Sequence, residues 1–127
     1  MIHLDTSVLI DALTGPRRQA KRLRALIEEG ERITFATLVL FEWLRGPRSR
    51  EELAAQEALF PRDSAVPFGP AEAALAASWY RTIARPRGRE IDLAIASCAV
   101  TAGAMLWTLN RQDFQDFPKL LLLDDIR

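Results

Sequence analysis

Apolar and polar positions along this chain switch repeatedly between short unbroken apolar runs and longer stretches with helical spacing. Residues 2–4 form the first run and read as a buried strand. Residues 6–13 suit a helix with Thr6 or Ser7 as its cap, ended by Gly15-Pro16. Residues 17–29 read as a second helix, with Ala20, Leu23, Leu26 and Ile27 on one face and charges opposite. Residues 33–36 form another short apolar run. Thr37 is placed to cap a helix ending at Gly46-Pro47, and Ser49 with Glu52 has the spacing of a capping box opening a helix over 49–59. Residues 65–68 form a candidate strand that contains Pro67. Pro70 opens a helix to about residue 84. After a basic turn at 85–89, residues 91–102 make the most apolar helix, with Gly103 at its end. Residues 104–108 read as a strand, 110–114 as a loop or single turn, and 120–123 as a last strand.

Strands that alternate with helices predict an α/β fold with a mainly parallel sheet of four to five short strands, flanked by helices on both faces. The strands are continuous rather than alternating, as expected when both faces are covered. No repeat, linker or low-complexity tract divides residues 1–127, so a single domain is expected. In such sheets ligands bind beyond the carboxyl ends of the strands. Asp5 ends the first strand, and Thr108, Asn110 and Asp113 follow the strand at 104–108.

Composition sharpens this picture only in places. Hydrophobic residues make up 49% of the 127, enough for a sizeable core. Lys+Arg and Asp+Glu are 17 each, so net charge does not announce a nucleic-acid binder, although a basic rim around an acidic site would also average to zero. One cysteine, Cys98, permits no internal disulfide and suits a reducing compartment. No secretion signal and no membrane-length apolar run is evident, so a cytoplasmic protein is expected.

Three carboxylates stand where carboxylates are costly. Asp5 interrupts MIHLDTSVLI, Glu42 lies in TLVLFEWLRG, and Asp92 opens IDLAIASCAV. A buried carboxylate needs a partner, a changed protonation state or a function. Each also has a plain structural reading: Asp5 as a helix cap, Glu42 as a solvated residue near a helix end, Asp92 as a complement to a helix dipole. With Asp113 they make four acids at one end of the sheet. Like charges so gathered raise one another's pKa, and a hard divalent cation such as Mg²⁺ or Mn²⁺ removes the conflict. An acid set without His or Cys fits phosphodiester hydrolysis better than zinc chemistry. His3, Cys98 and the three tryptophans read as core residues; Asp11 is open to supporting the site but reads first as a surface residue, and Asp124-Asp125 read as solvated.

The segments MIHLDTSVLIDAL, TLVLFEWLRG, IDLAIASCAV and LWTLNRQDF, in this order, resemble PIN domains, and more narrowly the VapC-type toxins of bacterial toxin–antitoxin pairs. The resemblance spans residues 2–123. It implies a Mg²⁺- or Mn²⁺-dependent endoribonuclease whose acidic set falls on Asp5, Glu42, Asp92 and Asp113, with Thr6, Thr108 and Asn110 in support. Attack by metal-activated water would leave 5′-phosphate and 3′-hydroxyl ends. The resemblance also implies a cognate antitoxin that occludes the site, a homodimer and larger toxin–antitoxin assemblies. An apolar face around Phe35, residues 38–43 and residues 49–59 is open to either core or interface. Arg85, Arg87, Arg89 and Arg111 flank the acidic segments and are candidate RNA contacts; an ordinary solvated turn is the alternative for the first three. Competing functions are a PIN-like nuclease of RNA maturation or of DNA, and a non-catalytic binding module on the same fold. A phosphoaspartyl enzyme would want a second acid two residues after Asp5, where Ser7 stands.

Overall fold

The computed structural model describes residues 1–124. Three parallel strands, β1 (Ile2–Leu4), β2 (Ile33–Thr34) and β3 (Met105–Trp107), form a sheet in the order β2-β1-β3. Register places Ile2 beside Ile33 and Met105, His3 beside Thr34 and Leu106, and Leu4 beside Trp107. Successive strand residues point to opposite faces, and Ile2, His3 and Leu4 are all buried, so both faces of β1 are covered.

The expected four- to five-stranded sheet is therefore corrected to three strands. The two missing strands survive as single parallel bridges, Ala36 to Val66 and Leu106 to Leu122. At the first, Val66 donates its amide to Phe35 and accepts from Thr37, but the next residue, Pro67, has no amide with which to extend the ladder. At the second, Leu106 donates its amide to Leu121 and accepts from Leu123 (2.9 and 2.8 Å), a single bridge in a segment flanked by the left-handed Lys119 (φ 67°) and Asp124 (φ 80°).

Six helices surround the sheet: α1 (Thr6–Leu13), α2 (Ala20–Glu28), α3 (Thr37–Arg45), α4 (Arg50–Leu59), α5 (Pro70–Thr82) and α6 (Glu90–Thr101). α2 starts three residues later than the pattern predicts, because Arg17 has φ 55° and no right-handed helix passes through it. The capping box of α4 is present, with Glu52 N donating to Ser49 Oγ (3.1 Å) and Ser49 N to Glu52 (2.8 Å). Neither Thr6 nor Thr37 caps its helix; the cap positions are Asp5 and Ala36, and neither makes a side-chain cap bond. α6 is buried from Leu93 through Ala99, as expected of a helix apolar on every side, and packs chiefly against α5.

The apolar face expected around Phe35, residues 38–43 and residues 49–59 is divided, with Leu38 and Leu40 partly buried and Leu53 and Leu59 exposed. Phe35, Val39 and Trp43 are core, whereas Phe41 (52% exposed) and Leu44 (38%) face outward, Phe41 beneath the Arg45 guanidinium. His3 is buried, and neither of its ring nitrogens has a hydrogen-bond partner among the described residues. Burial, and secondarily the N-terminal charge, pulls its pKa down to about 4.

Candidate active site

Because the strands run parallel, β1 and β3 end side by side, and the residues just past one strand meet those just past the other. Asp5 continues β1 and donates its amide to the Trp107 carbonyl (2.9 Å). Asp5 as a whole is 4% exposed. Two hydroxyls donate to the same oxygen, Oδ2: Ser7 at 2.8 Å from the first turn of α1 and Thr108 at 2.7 Å from just past β3. Both hydroxyls also accept a backbone amide, Ser7 from Leu109 and Thr108 from Asn110, each at 3.0 Å. Oδ1 receives neither hydroxyl. The carboxylate is thus fixed in orientation with one oxygen left over.

Glu42 lies in α3, which follows the extension of β2. Thr6 donates to its Oε1 at 2.5 Å, and Arg45 lies 3.5 Å from Oε2. Neighbouring hydroxyls on α1 therefore orient two different acids: Thr6 serves Glu42 and Ser7 serves Asp5. Asn110 enters through its backbone, accepting from the Asp113 amide (2.9 Å) at the start of a single 3-10 turn, Arg111–Asp113, that carries the fourth acid outward.

Asp92 sits in the first turn of α6. Its pKa is pushed from the usual 3.8 to about 6, first by burial, then by the charges of Asp5, Asp113 and Glu42, with Arg89 opposing. The charges of the other three acids named from the sequence thus all reach Asp92. Among the described residues, no three His, Cys, Asp or Glu side chains are grouped so that they could hold a metal ion as they stand. The set nevertheless suits a hard divalent cation. Every donor is an oxygen, and such an ion accepts a few carboxylates while keeping several waters.

The arginines separate. Arg85 and Arg87 are exposed. Arg89 is turned inward instead, onto Asp116, the carbonyls of Asp113 and Ala84, and the Phe117 ring. Arg111 donates to the Leu123 carbonyl (2.7 Å) and so ties the last described segment to the turn. Asp124 pairs with Arg22 at 2.6 Å, away from the acids; Asp125 lies outside the described residues. Cys98 is buried, and burial raises its pKa to about 11, which suits packing rather than nucleophilic chemistry. Sequence reasoning missed Ser7 as a brace for Asp5. The signal was its hydroxyl two residues after a strand-end acid, which reads equally well as a helix cap.

A parallel sheet that gathers carboxylates at its carboxyl end, braced by hydroxyls from the adjoining helix and loop, defines a class of α/β proteins with an acidic centre. The chain belongs to the PIN-domain family, whose model matches residues 2–120. It is 37% identical over 122 residues to Ribonuclease VapC19 of Mycobacterium tuberculosis, covering 92% of this chain and 94% of that protein. Its fold is similar to a chain in the DNA-bound VapBC structure from Salmonella typhimurium (TM-score 0.76, 21% identity, 95% of each chain). It is also similar to a chain of a toxin–antitoxin complex from Klebsiella pneumoniae (TM-score 0.71, 23% identity, 95% and 96% of the two chains).

Proposed function

We propose that this protein is a divalent-metal-dependent endoribonuclease, the toxin of a toxin–antitoxin pair, that hydrolyses RNA phosphodiester bonds to 5′-phosphate and 3′-hydroxyl ends. The observation that carries the reading is the 37% identity to a ribonuclease along 92% of the chain. The acidic surroundings of Asp92, whose pKa burial first and then the charges of Asp5, Asp113 and Glu42 raise to about 6, agree with it. The relation to a ribonuclease along nearly the full chain supports the choice of RNA.

In this reading Asp5, Glu42, Asp92 and Asp113 hold Mg²⁺ or Mn²⁺. The ion supplies a water of lowered pKa and positive charge opposite the reacting phosphoryl group. The chain's own part is orientation. Ser7 and Thr108 keep Asp5 in a single rotamer, and Thr6 does the same for Glu42. Asp92, raised to about 6, is mostly ionised at neutral pH and becomes fully so beside a cation. Exposed Arg85 and Arg87, with Arg111 beside the turn, are placed to meet RNA phosphates. The partner is a small antitoxin that covers the acidic site, within a homodimeric and larger toxin–antitoxin assembly, and the pair works in the cytoplasm. No helix among the described residues is long and apolar enough to cross a membrane.

The test is cleavage of total tRNA and ribosomal RNA by antitoxin-free protein, with Mg²⁺ or Mn²⁺, with EDTA, and with Asp5→Asn. Cleavage that needs metal and vanishes in the variant supports the reading. Cleavage surviving either change overturns the mechanism. Failure to cut any RNA points to the non-catalytic module, and cutting of DNA or of a single precursor points to the other nucleases.

A further inference from the structure

We propose that Arg89 is a positioning residue of the acidic site: its guanidinium locks the turn that carries Asp113 against the start of the helix that carries Asp92. The inference rests on the ribonuclease reading for its catalytic meaning, but its geometry stands apart from it.

Arg89 occupies the cap position of α6, three residues before Asp92, and its carbonyl accepts the Leu93 amide (2.9 Å). Its side chain reaches across to the 111–117 segment. One terminal nitrogen donates to Asp116 Oδ2 (3.0 Å) and to the Ala84 carbonyl (3.2 Å). The other donates to Asp116 Oδ1 (2.5 Å) and to the carbonyl of Asp113 itself (2.9 Å). The guanidinium also lies over the Phe117 ring, 4.7 Å from its centroid, and Phe117 stacks on buried Trp79. One planar group thus joins the turn before α6, the helix start and the segment carrying the fourth acid.

Only arginine meets this geometry. The fork satisfies both oxygens of Asp116 while leaving donors for two carbonyls, and its flat face stacks on an aromatic ring. Lysine keeps the charge but offers a single nitrogen. The negative charges of Asp116, Asp92 and Asp113 all bear on the guanidinium, so it also offsets repulsion between the acids it draws together. A side chain only 20% exposed with both terminal nitrogens on protein acceptors is poorly placed to grip an RNA phosphate.

Arg89→Lys and Asp116→Asn separate the roles. Cleavage of a defined RNA in Mg²⁺ gives kcat and KM; metal-free amide exchange and thermal melting report on the turn and the fold. Both variants should lose about 10–100-fold in kcat, the usual cost of removing a group that orients a metal ligand, with KM for RNA unchanged. Amides of Asp113, Phe114 and Gln115 should exchange faster while those of β1 do not. A raised KM with kcat intact in Arg89→Lys would mean a phosphate contact and overturn the proposal. So would normal kcat in Asp116→Asn, lowered melting as the sole change, or unaltered exchange in the turn. If wild-type protein cuts no RNA, the ribonuclease reading fails and the catalytic role with it, while exchange alone still decides whether the clamp exists.

Discussion

Replacing Asp92 by asparagine should abolish cleavage and make the protein more stable. The folded protein holds the Asp92 proton more tightly than the unfolded chain, since its pKa is about 6 rather than 3.8. Protonated Asp92 therefore contributes stability that is complete below 3.8 and lost as pH rises through about 6. Above that value the wild type carries a charge disfavoured by burial and by three like charges, and the amide does not. A displacement of this size corresponds to ~3 kcal/mol at most, and solvent screening of a half-buried group reduces it to ~1–2 kcal/mol. With ~2.1 cal/mol/K of unfolding entropy per residue, that is a rise in Tm of about 4–7 °C. The assay is thermal melting of both proteins in EDTA from about pH 4 to about pH 8. The variant's advantage should be full at the alkaline end and shrink to nothing near 4. Adding Mg²⁺ should raise the wild-type Tm and leave the variant's nearly unchanged. Equal or lower stability of the variant at neutral pH, or an advantage that does not fade on acidification, would refute the reasoning.

His3 has the opposite sign: its folded pKa of about 4 lies below the usual 6.5, so stability is full above 6.5 and falls as pH drops toward 4. His3→Leu should be at least as stable as wild type at neutral pH and gain up to ~3 kcal/mol on it by about pH 4, read by melting. Ser7→Ala and Thr108→Val each remove one donor from Asp5 and should lower kcat about 10–100-fold in the cleavage assay, with a stability loss of ~1–2 kcal/mol in urea unfolding. Ser49→Ala breaks the capping box of α4 at a cost of about 1 kcal/mol, and cleavage by the folded protein should be unaffected.

The parts of the fold legible in the sequence are those set by local chemistry. Apolar runs bounded by turns gave β1, β2 and β3, and the Ser49–Glu52 spacing gave the start of α4. Asp5, Glu42 and Asp92 stood out because each interrupts an apolar segment, whereas Asp113 joined them through its place after the strand at 104–108 and the family resemblance. What escaped was set by distant partners. Residues 120–123 look as strand-like as 104–108 yet keep a single bridge, whereas the weakness of 65–68 was already visible in Pro67. Arg89 reads as one of three arginines in a basic turn. Its partner Asp116 is 27 positions away, and only the folding of 111–117 under α6 distinguishes it from Arg85 and Arg87. Ser7 was hidden by ambiguity, since a hydroxyl at a helix start serves a cap and an acid equally well.

The bond from Thr108 to Asp5 spans 103 positions, and the β1–β3 pairing beside it is as long. During synthesis Asp5 leaves the ribosome first, and its brace arrives at about 5–20 residues per second, roughly 5–20 s later. Through that interval β1 has no β3 to lie against, Asp5 has only Ser7, and Asp113 has yet to be made. For a protein whose proposed substrate is RNA, the order of the chain is itself a delay. The acidic site closes only after Thr108, 103 positions behind Asp5, has followed it out.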